Sequence, residues 1–136
     1  MQKTELFIVK AIVAAFITAT NYLYGGWNEF LGILLVFTAF DYVSGVLVAA
    51  RKGRLSSNVG AFGIARKVGM FVVVAVAFMF GKVLGQADIM RDLVTGYFIA
   101  NEGLSIIENA ADLGLKVPAK LKGALEAFHE DKGGRL

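Results

Sequence analysis

The sequence predicts an all-α membrane protein with about four transmembrane helices and a short amphipathic cytoplasmic C-terminal helix. Three observations predict it. Hydrophobic residues make up 57% of the 136 positions and fall in blocks of roughly membrane-spanning length, about 17–25 residues. The connection between the first two blocks is Gly25-Gly26-Trp27-Asn28-Glu29, and that between the second and third is basic. The strands a barrel would need are absent, which leaves helices, because a bilayer offers no water to free backbone groups.

The first segment runs from about Leu6 to Tyr24. Its preceding basic region is thin (Lys3), and Lys10 interrupts the apolar run, so a retained helix is expected rather than a cleaved signal. The second runs from about Phe30 to Ala50. Its strong apolar residues contribute roughly −3 to −7 kcal/mol to insertion, against about +2.5 to +3.5 kcal/mol for Asp41 near its centre. The third runs from about Val68 to Gln86. The fourth, from about Ile89 to Ile107, gathers only roughly −2 to −4 kcal/mol and carries Arg91, Asp92, Asn101 and Glu102. It needs partner helices to stay inserted, and three spans plus an interfacial fourth helix is the alternative.

A transmembrane domain over residues 1–110 and a tail over 111–136 follow. Asp112-Leu113-Gly114 reads as a helix end, and Pro118 suits the first turn of another helix. Beyond it, Leu121, Leu125 and Phe128 share one face, apart from Lys120, Lys122, Glu126 and Glu130. That makes a short amphipathic helix, expected on the inner membrane surface or on a neighbour. From Asp131 to Leu136 the chain is expected to fray.

Orientation comes from the connections. The stretch between the second and third segments holds Arg51, Lys52, Arg54, Arg66 and Lys67 and no acid, whereas Gly25–Glu29 holds no base. The positive-inside rule puts the basic elbow and both termini in the cytoplasm, with Tyr22, Tyr24 and Trp27 at the outer interface. Basic residues beside apolar runs favour anionic lipid over nucleic acid as a counter-surface.

Enzyme chemistry has little support. With no cysteine, disulfide frameworks and thiolate metal or redox sites are excluded. HExxH, GxxxxGK[ST] and GxSxG motifs are missing, so no catalytic, cofactor or metal residue is assigned. His129, beside Glu130 and Asp131, reads as a solvated helix end. Ser56-Ser57 reads as a turn or helix cap.

Polar residues inside the segments are the stronger functional candidates, because intramembrane charges face protein or a wet cavity. They are Asp41, Lys82, Asn101 and Glu102. Asp41 and Glu102 read either as buried structural hydrogen-bonders or as the lining of an aqueous path or subunit contact. Lys82 calls for an acidic partner such as Asp41, in this or a neighbouring subunit. Lys10, near the start of its helix, can snorkel inward. Small residues recur four apart at Ala11, Ala15 and Ala19, Gly45 and Ala49, Gly81 and Gly85, and Gly96 and Ala100. Such ridges allow close helix approach in lipid and point to self-association.

The ordered set Asp41-Tyr42-Val43-Ser44-Gly45, Lys52-Gly53-Arg54-Leu55-Ser56-Ser57, Gly63, Arg66-Lys67, then Asn101-Glu102-Gly103-Leu104-Ser105-Ile106-Ile107-Glu108-Asn109, Gly114 and Pro118 resembles the phage-lysis and toxin-secretion holin family from about Phe30 to Leu125. One departure is Lys82, where the family often carries an acid. The resemblance implies a multi-pass protein of the bacterial cytoplasmic membrane that homo-oligomerises into holes. Through these it would release an endolysin or a toxin as cargo, without binding it specifically and without a cofactor. An antiholin or inert scaffold, and a small oligomeric ion channel, are the alternatives.

Overall fold

The computed structural model describes residues 2–133 and has five helices and no strand among them: α1 (Lys3–Tyr24), α2 (Glu29–Arg51), α3 (Ser57–Leu84), α4 (Ala87–Asp112) and α5 (Ala119–Gly133). Local chemistry sets each boundary. The Glu5 carboxylate accepts the Gln2 N–H at 3.1 Å to start α1. Asn28 and Ser56 cap α2 and α3, their side chains accepting the N–H of Leu31 and Val59, and so satisfy one of the four free donors at each N-terminus. Gly25 ends α1 in the left-handed region at φ +75°, with its N–H on the Asn21 carbonyl. A Cβ there would also lie 2.6 Å from the Phe78 ring, so both backbone and packing require glycine.

The stretch expected to fray from Asp131 begins within a helix. α5 continues to Gly133, and residues 134–136 lie outside the described residues.

α3 differs most from the sequence expectation. It begins at Ser57 rather than near Val68, so Arg66 and Lys67 sit on a helix and the basic connection shrinks to Lys52–Ser56. The Ser56 cap starts the helix early, and nothing between Ser57 and Val68 breaks it.

α2, α3 and α4 form the packed body, and α4 is its centre, in contact with α2, α3 and α5. Leu31, Leu34 and Val74 are fully buried, with Tyr24, Phe71, Val94, Phe98 and Ile99 around them. α4 runs beside α2 in the same direction and is tied to its neighbours at both ends. At the tryptophan end, Asn28 donates to Asp92 and Arg91 to the Tyr24 carbonyl. At the basic end, Arg51 donates to the Asp112 carbonyl and Lys52 pairs with its carboxylate.

Three helices, α1, α2 and α3, are long and apolar enough to cross a membrane. α4 is not among them, as its weak insertion sum anticipated, yet it covers the height of α2, with Arg91 and Glu102 buried against its neighbours. The outward faces of α1 and α3 are mainly apolar: Phe7, Ile12, Phe16, Val72, Val76 and Val83 are all exposed. α1 stands most apart. Residues 2–19 are exposed on every side, and the helix meets α3 through its last turns, where the Tyr24 hydroxyl donates to the Phe71 carbonyl at 3.0 Å.

A buried charge bridge between three helices

Lys67, Asp41 and Glu102 each lie ten residues from the basic-end terminus of their helices. At 1.5 Å per residue this is one common level, roughly 15 Å in. That shared register lets α3 deliver its ammonium to both carboxylates. Lys67 Nζ is 2.6 Å from Asp41 Oδ2 and 2.5 Å from Glu102 Oε2. The side chains are 17%, 15% and 6% exposed respectively, which makes this a buried bridge rather than a surface pair.

A second layer orients Asp41. Asn109 Nδ2 donates to its other oxygen at 3.1 Å and to Ser44 Oγ at 2.9 Å, and Ser44 donates back to the Asp41 carbonyl. Two acids and one base leave a formal surplus of one negative charge, spread over short charge-assisted hydrogen bonds. The bridge borders a cleft of about 1070 Å³ between α2, α3 and α4. Tyr42, Asn101, Ser105 and Asn109 line it, and Arg54 and Arg66 stand among its basic-end residues. No group of three or more metal-ligating side chains occurs among the described residues. The cleft is a partly open space lined by apolar as well as polar side chains.

Several sequence assignments change. Lys67, expected in the lipid-facing elbow, points into the body, because its place on α3 faces Asp41 and Glu102. Arg51 and Lys52 are drawn to the end of α4, where cations favour the last carbonyls, and the Lys52 ammonium holds the exposed Asp112 carboxyl below the ordinary carboxylate range. Arg54 and Arg66 remain exposed. Lys82 does not meet Asp41. It sits at the tryptophan end, 4.8 Å from the Phe78 ring centroid and 5.2 Å from that of Tyr22. Asp41 already has Lys67.

The small-residue pairs also divide. Gly85 caps α3 at φ +70°. Gly81 lets the α3–α4 turn close, since a Cβ there would lie 2.7 Å from Ala87 Cα. Gly45 faces Asn109, and Ala49 lines the cleft. Gly96 lies under Phe128 of α5, with Ala100 buried. Ala11, Ala15 and Ala19 stay exposed. His129 is not a solvated end: it stacks on Tyr97 with centroids 4.8 Å apart.

Arg91 is the polar residue that sequence reasoning undervalued. Its side chain is 8% exposed, bonded to Asp92, Asp88 and the Tyr24 carbonyl, and so it joins α1 to α4. In the sequence it registers only as a cost to insertion. Once α3 is known to start at Ser57, counting residues from the basic end pairs Lys67 with the two acids.

Comparison with known proteins identifies the family. Relatives include an uncharacterized 14.9 kDa protein of Clostridium perfringens, 40% identical over 85% of this chain and 88% of the relative. An uncharacterized protein of Listeria innocua is 36% identical over 93% and 90%. A protein of Bacillus phage phi105 named a probable holin is 34% identical over 83% of each chain. No solved structure matches. The model of the bacteriophage holin family matches residues 18–130, which include the whole packed body of α2, α3 and α4, and the chain belongs to that family.

Proposed function

We propose that this membrane protein is a holin: it acts without catalysis, gathers with copies of itself in the bacterial cytoplasmic membrane, and opens holes that release an endolysin or a toxin. The observation that carries this reading is the distribution of polarity. The Asp41–Lys67–Glu102 bridge and its cleft lie between helices whose outward faces on α1, α2 and α3 are mainly apolar. Copies in lipid therefore keep their charges inward, and rearrangement among copies can present those charges to water without exposing them to hydrocarbon. The unpartnered faces of α1 supply surface for lipid or for a neighbouring copy. The basic end faces the cytoplasm by the positive-inside rule, and exposed Arg54 adds about 1 kcal/mol toward anionic headgroups.

Regulated induction in bacteria that also make an endolysin tests the reading. Abrupt lysis after a delay is expected; gradual slowing of growth without permeabilisation counts against it. A non-conducting regulator, such as an antiholin, is the second reading, because the bridge satisfies its own charges within one chain. Release of a dye from liposomes bearing the purified protein separates the two.

A further inference from the structure

α5 occupies an unexpected place. Instead of lying beyond the basic end, it turns back at Leu113–Pro118 and lies along α4. Phe128 lies 3.1 Å from where a Cβ on Gly96 would stand, and Leu125 lies 3.2 Å from the same point on Gly103. Gly96 is roughly 24 Å along α4 from Asp112 at 1.5 Å per residue. Both ends of α4 are tied at the height of α2, so this contact lies at the depth of the hydrocarbon. Yet α5 turns Lys120, Lys122, Glu126 and Glu130 outward, and Lys122 and Glu126 are 54% and 51% exposed. Such a face is expelled from lipid and tolerated at that depth only against water or protein. α1 and α3 present the opposite character, exposed and apolar.

We infer that the α4–α5 side of the chain faces the water-filled interior of the assembly, and that α5 is a tethered plug lying in that space, seated on Gly96 and Gly103. The inference rests on the holin reading and adds which face lines the hole and what fills it. The seat is shallow. Phe128 stays 42% exposed on it, and His129 Nδ1 is buried there with no hydrogen-bond partner among the described residues. Undocking α5 therefore frees polar groups and clears the lumen while α2, α3 and α4 stay packed.

The chain has no cysteine, so a Gly103→Cys/Leu125→Cys variant can lock the plug by oxidation. In vesicles bearing the full-length variant, the crosslink is expected to form. Trapped dye should then leak about tenfold less than after reduction, as a shift toward the plugged population requires. Gly96→Leu, which expels Phe128, and removal of residues 119–136 should each raise leakage above wild type. Failure to crosslink in the membrane, equal leakage from locked and reduced forms, or unchanged leakage in both unplugged variants would overturn the plug. Leakage from none of the forms, reduced and truncated included, would overturn the holin reading and the plug with it.

Discussion

Removing the Lys67 ammonium should be the most damaging single change to the packed body. In Lys67→Met the stem volume is roughly kept, but Asp41 and Glu102 lose their shared base. Both carboxylate oxygens lie within 2.6 Å of one nitrogen, so they stand no more than roughly 5 Å apart. At an effective dielectric constant of about 20, two unit charges at that distance repel by about 3 kcal/mol. Breaking a buried pair by deleting one partner costs about 3–5 kcal/mol for the same reason. Asp41→Asn and Glu102→Gln are expected to be milder, near 1–2 kcal/mol, because each leaves a neutral acid–base pair rather than a bare charge. Denaturant unfolding of the detergent-solubilised protein measures all three, and a triple variant, Lys67→Met with both acids neutralised, should recover most of the loss. A Lys67→Met cost below about 1 kcal/mol, or no recovery in the triple variant, would refute the view that charge balance holds α2, α3 and α4 together.

Gly25→Ala should destabilise by about 2 kcal/mol or more, since a non-glycine residue pays for the left-handed backbone and its Cβ would press on Phe78; a thermal melt in detergent checks it. Arg91→Met should cost about 3 kcal/mol by the same melt, because its charge-assisted bonds go to the Tyr24 carbonyl and the Asp92 carboxylate. The Asp112 carboxyl should titrate below its ordinary value of 3.8 and move back toward it in Lys52→Gln, as read by carbon-13 chemical shift. The sign follows from linkage: a depressed value means the Lys52 clamp is intact above that ordinary value and is lost as pH falls through the lower midpoint.

The helices were legible because their signals are local. Blocks of apolar residues, the Ser56-Ser57 cap and the helix end at Gly114 need no knowledge of the fold, whereas the Asn28 cap and the Gly85 stop emerged only in the structure. The start of α3 was harder, since small and basic residues between Ser57 and Lys67 read as a connection by composition but are compatible with a helix once capped. The candidate site was half legible. Asp41 and Glu102 stood out as charges in apolar runs, whereas Lys67 was hidden by sitting beside Arg66 in a basic cluster, and Lys82 drew the attention due to it. The difference is one of facing, which composition does not encode: Arg66 turns to solvent and its neighbour turns to two acids.

The sequence by itself determined that this chain lives in a membrane, that it is helical, and that charges placed inside its spans need partners, since hydrocarbon offers neither hydrogen bonds nor dielectric screening. Only the tertiary structure decided which partners those are. The lateral packing of α2, α3 and α4 brings to one level three residues distant in sequence, and the turn at Leu113–Pro118 sends a polar helix back along α4. Pairing and facing depend on how helices are rotated and stacked against one another, and that is set by the sum of many weak contacts rather than by any local run of residues.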